Sequence, residues 1–320
     1  MAQIQGSAVS LNLGFEPTYG GGGTTGFTVP FAPTLTAKTE QAINKSSVID
    51  GNASPSQPFL GFKDGSFSGT VPVDSKAFGL FLKGAYGVPA TVDNGNGTYT
   101  HTFSIGLTIP SMFAEINHGD VAGGLVYRTV GIGINQLSFS LGGDGELLAN
   151  ITGIAKDTIK DTVSSIAAPV DYTDGFQFGQ FNAAIAGVSK VKSFDFNYSN
   201  NIDTDTYIID GSGARGGIPK GIADINGSFT ALFEDDSLYA TSRAFTTTGI
   251  TTTMTNGLAG ADLRSIVIEM QETKFNAISN TDIDSPNGLT ASLNYEAFLK
   301  SGTSDSAVTF ALTNDIASYA

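Results

Sequence analysis

The chain contains no cysteine, no tryptophan and only two histidines among its 320 residues. The lack of cysteine excludes disulfides, thiolate nucleophiles, zinc-thiolate sites and iron–sulfur clusters. No window of 18 consecutive residues is apolar throughout, so we expect no membrane-spanning helix. The first residues lack the basic and apolar regions of a secretory signal, so none is predicted. Cohesion beyond the core must therefore come from packing or oligomerisation.

Basic residues are also scarce, with 16 Lys and Arg against 30 Asp and Glu, which gives a net charge of −14. This balance disfavours wrapping of nucleic acid and binding to anionic membranes. The two halves differ, because residues 1–160 carry 11 acids and 8 bases whereas residues 161–320 carry 19 acids and 8 bases. The acidic excess therefore belongs mainly to the second half.

The residues that are present predict a folded, mainly β chain. Hydrophobic residues make up 40% of the sequence and glycine accounts for 40 positions, about twice the usual share. Apolar and polar residues alternate with the two-residue period of half-buried strands in several segments, and a longer segment, Arg264–Phe275, is rich in β-branched residues. The alternating segments are Thr98–Ile105, Gln136–Leu141, Lys192–Tyr198 and Leu289–Tyr295.

A long-range repeat divides the chain. The blocks Val48–Gly51, Gly65–Ser68 and Asp74-Ser75 recur, and their counterparts are Ile208–Gly211, Gly227–Thr230 and Asp236-Ser237. Such self-similarity indicates one β-rich unit made twice in tandem. We expect units at residues 1–160 and 161–320, and the alternative is one unit with an elaborate insertion.

Helices are predicted to be few and short. Asp74-Ser75 and Asp236-Ser237 each precede an apolar stretch and can cap a helix, and a third helix is expected around Phe181–Val188. Three Gly- or Thr-rich segments are predicted to be flexible loops. They are Tyr19–Gly26, Gly211–Gly217 and Thr246–Gly257.

No catalytic, cofactor or metal site is predicted. Gly21, Gly23 and Gly26 match G-x-G-x-x-G only formally, because prolines follow where a helix is required. His101 and His118 lack partners at metal-ligand spacing, and a hydrogen-bonded core or interface role is expected for His101. Asp203–Asp205 and Asn280–Asp284 resemble the start of a calcium loop but lack its glycine and glutamate, so turn chemistry is favoured.

The order of several motifs resembles the major tail tube proteins of long-tailed bacteriophages. In the first half these are a P-S-x-x-x-E strand, a Y-x-x-x-G strand and a G-x-L-x-x-x-x-x-G strand, and the second half shows related segments. The segments are Ile109–Glu115, Gly123–Gly133, Leu137–Ser140, Gly145–Gly153, Val188–Tyr198, Ile209–Gly211 and Asp224–Ala231. The resemblance spans roughly residues 45–300.

This resemblance implies tandem tail-tube β-sandwich or barrel units with short flanking helices, whose sheets join between subunits into a tube. Rings of the protein would stack into a conduit for double-stranded DNA, which passes without specific binding, in a virion tail assembled in the bacterial host cytoplasm. The implied partners are further copies of the chain and the tail terminator, tape measure and distal tail proteins, with no cofactor. Two units per chain would need three copies for a pseudo-six-fold ring, and one elaborated unit would need six.

The acidic excess suits a lumen that repels phosphate, and Glu269, Glu234 and Asp235 are the predicted lumen acids. The three loops are predicted to contact other subunits or rings. The residues predicted to make these contacts are Tyr19, Gly21, Gly23, Gly26, Gly211, Arg215, Gly217, Thr246 and Thr253. The alternative function is a β-sandwich binding or adhesin module, which the absence of tryptophan disfavours, and no enzymatic activity is predicted.

Overall fold

The computed structural model describes residues 5–49, 51, 53–119, 121–188, 190–278, 288–300, 302 and 306–319. The described chain is mainly β, as predicted, with two short helices, α1 (Phe78–Tyr86) and α2 (Ser237–Arg243). The strands are β1 (Val9–Phe15), β2 (Phe27–Val29), β3 (Leu35–Asn44), β4 (Phe59–Pro72), β5 (Ala90–Asp93), β6 (Tyr99–Ser104), β7 (Met112–His118), β8 (Val126–Leu141), β9 (Leu148–Ala155), β10 (Asp157–Asp161), β11 (Val170–Asp171), β12 (Ala183–Ala186), β13 (Val191–Ser199), β14 (Asp224–Leu232), β15 (Thr248–Thr255), β16 (Ser265–Phe275), β17 (Thr290–Ala297) and β18 (Thr309–Asn314).

Eight strands form one continuous antiparallel sheet, which we call the long sheet. Their spatial order is β3-β4-β9-β8-β13-β14-β17-β16. Within the described residues β3 pairs with β4 alone, so β3 leaves one edge of the long sheet open. The sheet is therefore not closed on itself, although both halves of the chain contribute to it.

Two strands bend so that they belong to two layers. The first part of β8 pairs with β7 and β10, whereas its last part pairs with β9 and β13. Register shifts mark the bend, which is the usual effect of a β-bulge. The first part of β16 likewise pairs with β15 and β18, and its end pairs with β17. A second layer thus covers one face of the long sheet, and buried residues of both layers and of α1 form one hydrophobic core.

The order and the pairing of the elements repeat along the chain. The first set is β1, β3, β4, α1, β7, β8, β9 and β10, and the second set is β12, β13, β14, α2, β15, β16, β17 and β18. Each antiparallel pairing in the first set has a counterpart in the second, and the pairs are β1–β7 and β12–β15, β3–β4 and β13–β14, β4–β9 and β14–β17, β8–β9 and β16–β17, β7–β8 and β15–β16, and β8–β10 and β16–β18. The repeated Gly-Ser-Phe blocks therefore lie in equivalent strands, β4 and β14.

The two sets are interlocked. The β5–β6 hairpin is inserted after α1 of the first set, in addition to the repeated strands, and β6 pairs along its length with β18 of the second set. Together with the β8–β13 pairing, this gives two separate strand junctions between the sets. The sets therefore share sheets in both layers.

Both helices start next to the predicted Asp-Ser pairs. The Asp74 carboxylate accepts hydrogen bonds from the backbone N–H of Lys76 (2.6 Å) and of Phe78 (3.3 Å), so it satisfies donors at the start of α1. At α2 the carboxylate that accepts from a backbone N–H at the helix start, that of Ser237 at 2.9 Å, belongs to Asp235. Asp236 instead precedes the helix, and its backbone carbonyl accepts from Ala240.

Two predictions of local structure are wrong. The helix expected around Phe181–Val188 is a 3₁₀ turn followed by strand β12, which pairs with β15. The segment Thr246–Gly257 is not a flexible loop, because most of it is strand β15, in which Ile250 and Met254 are buried. Threonine is β-branched and fits a pleated, half-buried surface, so a Thr-rich run forms a strand where a neighbour is available. The calcium-like segment Asn280–Asp284 lies outside the described residues.

Candidate functional site: the polar face of the long sheet

The face of the long sheet that is turned away from the core carries mostly small uncharged polar side chains. Because side chains alternate along a strand, each strand buries one set of residues and presents the other on this face. In β13, for example, Phe194, Phe196 and Tyr198 are buried. The uncharged polar residues on the opposite face of the sheet include Thr36, Ser66, Ser68, Thr70, Gln136, Ser138, Ser140, Asn150, Thr152, Asn197, Ser199, Asn226, Ser228, Thr230, Ser292 and Asn294.

Hydrogen bonds connect these side chains across the strands. In the first set the Thr34 hydroxyl donates to Thr70 (3.0 Å), and Thr70 donates to the Asn150 side chain (2.9 Å). The network continues over the junction of the two sets, where the Gln136 amide donates to Asn197 (2.6 Å). Asn197 in turn donates to Asn226 (3.3 Å). The face is thus a cross-linked polar surface that runs through both sets.

The charged residues on this face are mainly acids. Asp195 lies next to the junction and accepts hydrogen bonds from the hydroxyls of Ser140 (2.5 Å) and Ser228 (2.7 Å). Other charged residues are placed on the same face by their register. The acids are Glu40, Asp64, Asp224 and Glu296, and the lysines are Lys38 and Lys274. The surface is therefore polar and weakly acidic.

The junction between the sets is a regular antiparallel pairing. It runs from Phe194 opposite Leu141 to Ser199 opposite Gln136. On its buried side the rings of Phe139 and Phe196 stack at 5.1 Å between centroids. The Asn200 amide, at the end of the junction, donates to the carbonyls of Ala85 and Ile134, both at 2.8 Å. Packing and polar bonds thus fix the register of one set against the other.

The acids predicted from the sequence lie elsewhere. Glu269 is in the first part of β16, between β15 and β18, on the exposed side of the second layer. Glu234 pairs with Lys190, and Asp235 lies at the start of α2. The position of an acid on the polar face could have been predicted from the sequence, because Asp195 lies between Phe194 and Phe196 in an alternating strand. That alternation places Asp195 on the face opposite the core.

The segment Tyr19–Gly26, which contains Gly21, is held tightly by its own chain. The Glu16 carboxylate accepts from the N–H groups of Gly20 (2.8 Å) and Gly22 (3.0 Å), and it also accepts from Gly131 N–H. A side chain on Gly23 would approach the Phe113 ring at 2.7 Å. A side chain on Gly26 would meet the buried Ile166 at 2.5 Å. These glycines therefore have a packing role within the subunit, and their contact with other subunits remains a prediction.

Tyr19 packs at the base of this segment. Its hydroxyl is buried and has no hydrogen-bond partner among the described residues. Burial is the main cause that raises the pKa of this hydroxyl to about 12. The Lys156 ammonium lies 5.4 Å from the centre of its ring. The Tyr19 side chain therefore contributes to the subunit itself.

The segment Gly211–Gly217 is part of the β13–β14 connection and folds back onto the first set. The Arg215 side chain is only 5% exposed and donates to the Asp64 carboxylate at 2.6 Å. It also donates to the carbonyls of Gly65 (3.4 Å) and Ala155 (3.3 Å). Arg215 thus links the connection to β4 and β9, whereas Gly211 and Gly217 have open space where a side chain would be. The other two predicted contact residues are separated from this region, with Thr246 exposed after α2 and Thr253 within β15.

An exposed apolar tip was missed by the sequence reasoning. The β3–β4 hairpin carries exposed side chains near its turn, and Ile208 and Ile209 of the β13–β14 connection lie nearby. The apolar residues of the hairpin are Ile43, Val48, Ile49, Phe59, Leu60 and Phe62. Val48 and Ile49 stand in the first block of the sequence repeat, which indicated a duplication but was not interpreted as an exposed surface. An apolar cluster of this kind marks an interaction site.

The motifs that carry the resemblance have a structural role. Glu115 is fully buried and accepts from the Arg128 guanidinium (2.7 Å) and from the Ser165 hydroxyl (2.6 Å) and N–H (3.0 Å). Burial alone would raise the pKa of Glu115, but hydrogen bonds from Ser164, Ser165 and Arg128 hold it below its usual value. Glu115 thus fastens the segment after β10 to strands β7 and β8.

His101 has the hydrogen-bonded core position expected from its strand. Its ring nitrogens contact the Thr91 hydroxyl and the Ile316 carbonyl, both at 2.8 Å, and burial lowers its pKa. No group of three or more potential metal ligands is found among the described residues. Neither described helix has the length and apolar character needed to cross a membrane.

The fold and the site define a mainly β protein that presents one long, open, hydrogen-bonded polar sheet. The family model for phage tail tube proteins matches residues 6–297. The chain therefore belongs to the phage tail tube protein family, whose members are structural components of virion tails. A comparison with curated proteins gives no match.

Proposed function

We propose that this protein self-assembles into stacked rings that form the tail tube, with the polar face of the long sheet lining the bore. The observation that carries this proposal is the open edge at β3 in an otherwise continuous sheet. An open strand edge has unpaired backbone groups and is a template for a strand from another chain. Closing the sheet into a barrel between subunits satisfies those groups.

The β8–β13 junction is the model for the contact between subunits. At this junction β8, the fourth strand of the long sheet, pairs with β13, the first strand that the second set contributes to that sheet. In a ring, the end of the long sheet at β16 would meet β3 of the next copy in the same way. Three copies would then contribute 24 strands with pseudo-six-fold symmetry, and the two sets would be the two tail-tube units of each chain.

The chemistry of the polar face suits passage of double-stranded DNA without specific binding. Lysines are few on this face, so DNA binding would release few counterions and would gain little free energy from their release. Asp195, Asp224 and Glu296 add repulsion towards phosphates. Hydroxyl and amide groups keep the wall hydrated without fixing the duplex. The lumen acids proposed from the structure therefore replace Glu269, Glu234 and Asp235.

Contacts between rings are assigned to the ends of the strands. The exposed Ile209 and the open positions Gly211 and Gly217 lie in the β13–β14 connection, at the end of the sheet where β14 begins. The family also implies a tail terminator, a tape measure protein and a distal tail protein as partners along and at the ends of the tube. Assembly of the tube would take place in the bacterial cytoplasm before the virion is released.

Cysteine labelling of assembled tubes tests which face lines the bore. Ser138→Cys lies on the polar face and Glu269→Cys lies on the exposed side of the second layer, and the chain has no cysteine of its own. Negative-stain images should show rings or tubes for both variants. A bulky maleimide should then label Glu269→Cys in tubes and Ser138→Cys only after disassembly. A persistent monomer at high concentration contradicts the proposed function, and labelling of both sites in tubes contradicts the assignment of the bore.

A further inference from the structure

The β13–β14 connection covers the ends of two strands of the first set. Lys63 N–H donates to the Gly213 carbonyl at 2.7 Å, and the rings of Phe62 and Tyr207 stack at 4.5 Å between centroids. Arg215 adds its bonds to the carbonyls of Gly65 and Ala155. The start of β4 and the end of β9 are therefore capped by a connection from the neighbouring set.

Among the described residues, no connection of this kind covers the equivalent strand ends in the second set. Gly227 corresponds to Gly65 and pairs with Tyr295 of β17 as Gly65 pairs with Ala155 of β9. The start of β14 and the end of β17 border an apolar cavity of about 490 Å³, and Ile222 at its rim is 91% exposed. The apolar lining residues include Ile105, Ile222, Ala223, Ile225, Ala297 and Leu299.

The β13–β14 connection that forms this cap has a counterpart in the first set, which is the tip of the β3–β4 hairpin. Val48 and Ile49 stand in the sequence repeat where Ile208 and Ile209 stand in the second set. Ile49 is 96% exposed, and Val48 is also exposed. The chain therefore has an apolar tip at one end of its long sheet and an apolar cavity at the equivalent position near the other end.

We infer that the hairpin tip of one copy occupies the apolar cavity of the next copy in the same ring, with Val48 and Ile49 as the inserted side chains. This inference rests on the proposed function, because it requires the copies to be joined head to tail at the β16–β3 seam. The occupant is a second copy of this chain, since the same type of connection already covers the equivalent strand ends within one chain. A head-to-tail contact of this kind generates a closed ring when the rotation closes.

Disulfide trapping tests the contact. The chain has no cysteine, so Ile49→Cys with Ile222→Cys introduces the only two thiols of each copy. Mild oxidation of assembled protein should give dimers and a final covalent trimer on denaturing gels. The matched control, Ile49→Cys with Val163→Cys, also pairs two exposed apolar positions and should give no crosslink.

Each outcome separates the inference from the proposed function. An open-ended ladder of products would show that the tip reaches another ring and would overturn the contact within a ring. Tubes that form without any crosslink would overturn the inference and leave the proposed function intact. Failure of the unmodified protein to form rings would overturn both.

A substitution provides a second measurement. Ile49→Asp should raise the protein concentration needed for half-maximal assembly by at least about tenfold, because it would bury an unpaired charge. The circular dichroism spectrum should not change, since Ile49 is exposed in the subunit. Val163→Asp is the control and should assemble like the unmodified protein. Equal assembly of the two variants would contradict the inference.

Discussion

Asp74 is a carboxylate that the fold buries at the start of α1. It is 1% exposed, and one of its oxygens has no partner among the described residues. Burial is the main cause that raises its pKa from 3.8 to about 6, although N–H groups at the start of α1 oppose the shift. The folded chain therefore binds this proton more tightly than the unfolded chain does. Asp74 contributes stability that is fully present below about pH 4 and is lost as the pH rises through about 6.

Asp74→Asn should remove this pH dependence. The difference in unfolding free energy, unmodified protein minus variant, should fall by about 2 kcal/mol from pH 4 to pH 7. Urea unfolding of both proteins across that range measures the difference. Asp144→Asn serves as the control, because Asp144 is exposed in the turn between β8 and β9. A difference that stays constant with pH would show that Asp74 has an ordinary pKa.

Substitutions of Arg215 and Asp64 test which interactions of Arg215 attach the β13–β14 connection to the first set. Arg215→Ala should lower the unfolding free energy by about 1–3 kcal/mol, because the carbonyls of Gly65 and Ala155 would lose a buried charged donor. Asp64→Asn should cost less than about 1 kcal/mol, because Asp64 is 71% exposed and its ion pair is screened by solvent. Chemical denaturation compares the two. Equal losses would mean that the ion pair, and not the carbonyl bonds, fastens the connection.

At the scale of elements, the last described residues dock on α1. The Tyr319 hydroxyl donates to the Lys76 carbonyl (2.7 Å), and Lys83 donates to the Tyr319 carbonyl (2.6 Å). Gly79 of α1 lies directly beneath the ring, and a β-carbon there would lie 2.3 Å from Tyr319 Cζ. This glycine is needed for close packing and not for an unusual backbone angle.

Gly79→Ala should therefore destabilise the protein by about 1–3 kcal/mol through overpacking. In a Tyr319→Ala background the same change should be neutral or stabilising by up to about 1 kcal/mol, because alanine favours a helix and the ring is gone. A double-mutant cycle of thermal unfolding measures the coupling. The same cost of Gly79→Ala in both backgrounds would contradict the proposed clash.

The elements show which parts of the fold the sequence could predict. Alternation identified strands such as β13 and β17, because it reports burial of one face directly. Alternation could not reveal that β8 and β16 pair with strands in both layers, because a bend changes the pairing partners of a strand but not the two-residue alternation of its side chains. The Thr-rich β15 was predicted as a loop, since nothing local shows that β12 and β16 will pair with it. Asp195 was predictable from its neighbours, but its position beside the junction of the sets was not.

At the scale of the whole molecule, the sequence repeat and the repeated pairing order agree. The sequence blocks identified β4 and β14 as counterparts, and the structure adds six equivalent strand pairings around them. The division into units at residues 1–160 and 161–320 remains a proposal, because β6, which is inserted after α1, pairs with β18 of the second set. The net charge is −3 for residues 1–160 and −11 for residues 161–320. The two sets therefore need not present the same surface chemistry outside the bore.

Electron cryo-microscopy of the assembled tube tests the central claim most directly. We expect rings of three chains with pseudo-six-fold appearance, in which the end of the long sheet at β16 pairs with β3 of the next copy. The polar face, with Ser138, Asn197 and Asp195, should line the bore. Six chains per ring, or a wall in which the long sheets of neighbouring copies do not join, would contradict the account.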